Sequence, residues 1–126
     1  MRLLLDTHIF LWCIKGDAHI TKAIKCKLMQ ASEVYVSSAS IWEATIKIKL
    51  KKLDVDVDEM VMAISKSGFQ ELPITALHAA AVAKLPPIHR DPFDRILVAQ
   101  ALSEPLIFIT ADSLLKEYSD LVEIVT

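Results

Sequence analysis

Apolar positions along the chain follow two rhythms: short unbroken runs, and longer segments in which they recur at helical spacing. Leu3-Leu4-Leu5, Val34-Tyr35-Val36, Phe69-Gln70-Glu71-Leu72, Leu106-Ile107-Phe108-Ile109-Thr110 and Val122-Glu123-Ile124-Val125 read as strands. Between them the spacing predicts helices over about 7–15, 19–31, 41–50, 59–67, 75–84 and 92–103, and a short one after Asp112. Ser37, Ser38 and Ser40 are cap candidates for the third helix and Asp58 for the fourth, which Gly68 ends. Asp91-Pro92 is an N-cap followed by proline at the first helical position. Leu85 to Pro92 carries three prolines and cannot be regular structure.

Strands alternate with helices, and several strands are apolar at every position. This predicts an α/β fold with a mostly parallel central sheet of about five strands, covered on both faces. No repeat, low-complexity stretch or linker interrupts the 126 residues, so a single domain over 1–126 is expected. Hydrophobic residues make up 53% of the chain, enough for a real core and for an apolar surface kept for a partner. A net charge of −2 does not announce a nucleic-acid binder, but clustered carboxylates would mask basic patches elsewhere. The apolar start stops at Asp6 without a cleavage site, and no run approaches the ~18 residues of a membrane span. Cys13 and Cys26 form no CxxC pair and read as reduced, buried small hydrophobes. A cytoplasmic protein is expected.

The position of the acids changes the picture. Asp6 ends the first strand, Asp112 follows the fourth, and Glu43 and Asp94 lie in the first turns of helices. In open α/β sheets, ligands bind at the carboxyl edge of the strands, where these four would converge. Carboxylates at close range raise one another's pKa unless a cation neutralises them. An all-oxygen set suits a hard ion such as Mg²⁺ or Mn²⁺, and such an ion suits phosphodiester hydrolysis. Each acid also has a plainer reading. Asp6 and Asp112 serve as helix caps, Glu43 as a capping-box partner of Ser40 or an ion pair with Lys47, and Asp94 as a complement to a helix dipole or a partner of Arg90 or Arg95.

Other motifs fall away. Asp54-Val-Asp56-Val-Asp58 lacks the glycine of a calcium loop, with Glu59 in its place. There is no phosphate-binding glycine loop and no nucleophile elbow. The four histidines show no ligand spacing. His8 reads as a packed or helix-surface imidazole or as a neighbour of the Asp6 site, and His89 and Arg90 in the proline-rich loop are candidates for phosphate contact. Lys47, Lys49, Lys51 and Lys52 read either as a solvated helix end or as a track for an RNA backbone.

Leu4-Leu5-Asp6-Thr7-His8-Ile9-Phe10-Leu11-Trp12, Val36-Ser37-Ser38-Ala39-Ser40-Ile41-Trp42-Glu43, His89-Arg90-Asp91-Pro92-Phe93-Asp94-Arg95-Ile96-Leu97-Val98-Ala99-Gln100-Ala101 and Ile109-Thr110-Ala111-Asp112 together resemble the PIN-domain proteins, and more narrowly the VapC-type toxins of bacterial toxin–antitoxin pairs. The resemblance runs over essentially the whole chain. It implies a three-layer αβα fold and Mg²⁺- or Mn²⁺-dependent RNA cleavage. It also implies a catalytic set of Asp6, Glu43, Asp94 and Asp112, with Asp6, Asp94 and Asp112 as metal ligands. Thr7, Asp91 and Thr110 would be accessory, and Lys47, His89, Arg90 and Arg95 would contact RNA. An antitoxin partner and a homodimer are implied as well, and the apolar side chains Trp12, Ile41, Trp42 and Ile46 would partly serve such contacts. The alternative is a catalytically weak module that grips RNA or a partner. One departure is visible: the family's glycine-lysine pair after the glutamate-bearing helix is missing from Leu50-Lys51-Lys52-Leu53.

Overall fold

The computed structural model describes residues 1–125. Its strands are Arg2–Leu5 (β1), Glu33–Ser37 (β2), Gln70–Leu72 (β3), Ile107–Thr110 (β4) and Val122–Ile124 (β5). They form one sheet in the order β3-β2-β1-β4-β5, and each neighbouring pair is parallel. The helices are Thr7–Lys15 (α1), Lys22–Gln30 (α2), Ser38–Lys49 (α3), Val57–Lys66 (α4), Ala76–Ala81 (α5) and Pro92–Ser103 (α6), with 3-10 turns at Val82–Lys84 and Ser113–Tyr118.

The chain begins on the central strand, works outward to β3, then returns to the other side of β1. The connections leaving β1 and β4 therefore diverge and open a crevice at the carboxyl edge. Leu5 sits between Val36 and Ile109 in register, so Asp6 is delivered to the middle of that edge.

Side-chain alternation splits the core. Leu3 and Leu5 face one way, onto Ile9 and Phe10 of α1, Ile24 of α2 and Met60 and Ile64 of α4. Leu4 faces the other way with Phe108, onto Leu97, Val98 and Ala101 of α6. Helices thus cover both faces, the reason these strands are apolar throughout. Among the described residues no helix is long and apolar enough to cross a membrane.

Several boundaries differ from expectation, and at the starts of the second, third and fourth helices a cap explains the shift. The second helix starts at Lys22, not at residue 19, because Thr21 caps it, accepting from Ile24 N–H. Asp56, not Asp58, caps α4, accepting from the Asp58 and Glu59 amides. Ser37 caps α3. Ser40 instead accepts from the Thr7 hydroxyl at 2.8 Å, so Ser40 and Glu43 form no capping box. The fifth helix shortens into a 3-10 turn, and the segment after Asp112 is 3-10 throughout. Cys13 is half-buried and Cys26 exposed, so only the first fits a buried role; both are free thiols.

The turn after α3 resolves the missing glycine. Lys51 takes a left-handed φ of 59°, Lys51 N–H donates to Ile48 O, and Lys52 N–H donates to Lys47 O. This is the helix stop that glycine normally supplies. The turn keeps its shape, with lysine bearing the strain of that conformation.

Candidate metal centre

Asp6 leaves β1 with its backbone amide bonded to Ile109 O, which ties it to β4. One carboxylate oxygen accepts from Thr7 N–H at 2.6 Å, and the other accepts from the Thr110 hydroxyl at 2.5 Å. The side chain is thus both the cap of α1 and part of the crevice, so its two sequence readings are not alternatives. Burial pushes its pKa up, against the lowering effect of the two hydrogen bonds. Thr110 also accepts from Asp112 N–H at 3.1 Å, so a single hydroxyl joins two of the acids. The Thr7 hydroxyl is turned to Ser40 and braces α1 against α3.

Glu43 enters from α3. One carboxylate oxygen accepts from Lys47 Nζ at 2.7 Å, one helical turn on. The other, Oε1, is buried without a partner. Burial alone would lower the Lys47 pKa, but the bond to Glu43 and the field of Glu43, Asp91 and Asp94 outweigh it and hold the ammonium above its ordinary value. On α6, Asp91 accepts from Phe93 and Asp94 N–H as the cap, which leaves the Asp94 carboxyl free to enter the crevice. Burial first, then the neighbouring Asp6 and Asp91, push Asp94 up to about 7. Asp112 caps the last 3-10 turn through one oxygen and meets His89 Nε2 at 3.0 Å through the other.

The structure brings Asp6, Glu43, Asp91, Asp94 and Asp112 onto one cleft of about 280 Å³, which Lys47, His8 and Trp12 also line. The donor set fits a hard divalent cation on two observations. The Asp94 pKa is raised by burial first and then by the adjacent Asp6 and Asp91, a negative field that a cation would relieve. Glu43 Oε1 is a buried acceptor with no hydrogen-bond partner.

His89 joins this cluster, its Nε2 lying 3.4 Å from Asp94 and 3.0 Å from Asp112. Ligand atoms of these three residues all lie within 4.8 Å of one another. The imidazole nevertheless suits a donor better than a ligand. Its Nδ1 accepts from Asp91 N–H at 3.0 Å, which places the ring proton on Nε2. A ligating histidine shows the reverse, donating through its outer nitrogen.

Of the other residues expected to meet a substrate, Lys47 lines the cleft but is held by Glu43. Arg90 is exposed in the same loop as His89. Arg95 does not line the cleft: its guanidinium donates to the carbonyls of Val82 and Pro86 and to the Tyr118 hydroxyl. This corrects its expected role. It holds the proline-rich loop against α6, a task set by carbonyls that no spacing rule identifies. Lys49, Lys51 and Lys52 are exposed at the far end of α3, roughly 10 Å along its axis from Glu43. Trp12, expected to serve partly in partner contacts, lines the acidic cleft and also packs against the core cluster. Its signal was present: it lies one turn beyond His8 on the helix that Asp6 caps.

Comparison with known proteins fits this geometry. A family model described as PIN domain matches residues 3–121. No match is found among curated proteins. Among solved structures, the chain is similar to a chain of VapBC2 from Rickettsia felis bound to a DNA fragment from its promoter, at 15% identity and TM-score 0.70, covering 97% of this chain and 96% of that one. It is also similar to a toxin–antitoxin complex from Klebsiella pneumoniae, at 21% identity and TM-score 0.66, with 98% and 96% covered. DNA-bound VapBC from Salmonella typhimurium gives 18% identity and TM-score 0.66 over the same shares.

Proposed function

The chain belongs to the PIN-domain family, whose members are generally nucleases, and from that premise we propose that it is a VapC-type toxin, a metal-dependent endoribonuclease restrained by an antitoxin. One observation carries the reading: acids from the end of β1, from α3, from α6 and from the turn after β4 meet in one cleft, where burial and the neighbouring acids together raise the Asp94 pKa. A buried acid cluster of this kind destabilises a chain that has no cation to put there.

Asp6, Asp94 and Asp112 are the residues that would hold Mg²⁺ or Mn²⁺. A bound divalent cation supplies Lewis acidity toward the scissile phosphate and the attacking water. Glu43 Oε1 is the acceptor that orients that water, with Lys47 fixing the other oxygen of the same carboxylate. His89 presents Nε2–H as a donor to a phosphate oxygen, and Arg90 and Lys47 add positive charge beside it. Thr110 keeps Asp6 and Asp112 in register, and Asp91 holds the first turn of α6.

The solved neighbours are described as toxin–antitoxin complexes, which supports an antitoxin partner here. A homodimer is supported by the apolar groove of Trp42, Ile74, Pro92, Phe93 and Ile96, in which Trp42 stays 60% exposed. We place the protein in the cytoplasm, with its RNA substrate.

The test is cleavage of mixed cellular RNA by the purified, partner-free chain. Cleavage that needs Mg²⁺ or Mn²⁺, stops with chelator and disappears in Asp6→Ala supports the reading. Binding of RNA without any cleavage would favour the non-cutting module instead. Equal cleavage by Asp6→Ala would expose a contaminant.

A further inference from the structure

Trp12 stands beside the acid cleft, and the mechanism gives it no task. It is half-buried on α1, with His8 one turn before it at a ring separation of 6.5 Å. On its far side the chain turns back. Gly16, at φ 62°, ends α1, and Asp17 N–H closes the turn on Trp12 O at 3.0 Å. That turn lays His19 over the indole, with ring centroids 4.3 Å apart and planes 12° from parallel. Asp17 then fixes His19 twice, accepting from its backbone amide at 2.9 Å and meeting its Nδ1 at 2.6 Å.

Core packing does not explain this stack. The His19 side chain is 62% exposed, so stacking it buries little surface. The polar clamp instead holds a flat aromatic array in place at the surface, continuous with the cleft. Free positive charge near the cleft is scarce: Lys47 is held by Glu43 and the remaining lysines of α3 lie at its other end, which leaves Arg90 of the proline-rich loop. A site so poor in free cations needs another source of grip on a polyanion. Stacking supplies one that is blind to sequence, because every base has a π face.

We propose that Trp12, backed by His19, is a stacking platform for an unpaired nucleobase next to the scissile phosphate, so that the substrate must be single-stranded where it is cut. This rests on the ribonuclease reading above and adds a specificity-determining residue to it.

The experiment uses the full chain carrying Trp42→Phe, so that Trp12 is the sole tryptophan, and Asp94→Asn, to prevent cutting. Short single-stranded oligoribonucleotides are titrated in, with and without an abasic position moved along the strand. Quenching of Trp12 emission is expected. Affinities of all variants are read by fluorescence anisotropy of an end-labelled strand, and Trp12→Leu should weaken binding of the intact strand about tenfold, or about 1.4 kcal/mol. Binding of the strand abasic at the stacked position should not change, and Trp12→Tyr should restore most of the affinity. Thermal melting separates loss of the platform from loss of the fold. His19→Ala, which removes only the exposed ring, provides a milder second reading in the same direction.

RNA that binds without quenching, or equal affinity in Trp12→Leu and its parent, overturns the platform, as does a failure to bind at all. Cleavage by the unmodified chain is scored separately. A chain that cuts RNA but shows no quenching loses the platform alone, and one that is quenched but never cuts loses the nuclease reading alone.

Discussion

Replacing Asp94 with asparagine probes the electrostatics of the cleft directly, because burial and the neighbouring acids both oppose its charge. Its pKa is pushed up to about 7 from 3.8 by burial and by Asp6 and Asp91. That shift of about 3 units corresponds to at most about 4 kcal/mol, at about 1.4 kcal/mol per unit. The carboxyl is 17% exposed and faces an open cleft, so solvent screening reduces the expected figure to about 1–2 kcal/mol. The folded chain holds this proton more tightly than the unfolded one. The penalty is therefore absent below 3.8, grows as pH rises and is complete above about 7. Without divalent ions, wild type should lose stability relative to Asp94→Asn between about pH 4 and about pH 7. In a domain of this size the gap in Tm should widen by about 3–6 °C over that range. Thermal melts in EDTA at both pH values measure it. Millimolar Mg²⁺ at the higher pH should raise the Tm of wild type and leave the variant nearly unchanged. A gap that stays constant with pH, or a variant that is the less stable at high pH, would refute the assignment of that charge to Asp94.

Further tests address the surroundings of the cleft. Lys51→Gly relieves the left-handed backbone at φ 59° and should raise stability by about 0.5–1 kcal/mol in urea unfolding. Lys47→Met leaves the buried Glu43 carboxylate unpaired and should cost about 2 kcal/mol, most of which Glu43→Gln in the same chain recovers, as a double-mutant cycle would show. Thr110→Val keeps the shape but removes the hydroxyl shared by Asp6 and Asp112. Cleavage should fall about tenfold or more, while stability changes by only about 1 kcal/mol in the same assay. Phe108→Ala, at a fully buried site of the sheet core, should cost about 3–5 kcal/mol by chemical denaturation.

Much of the architecture was legible along the chain for a local reason. Leu3 to Leu5 and Ile107 to Ile109 are apolar at every position because a parallel strand under helices has no wet face. That property belongs to the residues themselves and does not depend on who their neighbours are. The acids at strand ends were legible on the same ground, since strand direction alone places Asp6 and Asp112 at one edge. Caps were less so: Ser37 and Asp56 compete with equally suitable neighbours at Ser40 and Asp58, and small differences in backbone path decide between them.

By itself, then, the amino-acid order determined the kinds of elements, their parallel arrangement and the edge at which the acids gather. Only the folded chain decided which donors are free. Arg95 is spent on carbonyls, Lys47 on Glu43 and Thr7 on Ser40, while His89 takes its tautomer from a backbone amide. The bonds of Lys47 and His89 are local and were open to more than one reading along the chain, whereas Thr7 and Ser40 lie 33 residues apart. Thr7 and Ser40 meet only because the sheet sets β1 beside β2, and the Thr110 hydroxyl reaches Asp6 only because it sets β4 on the other side of β1.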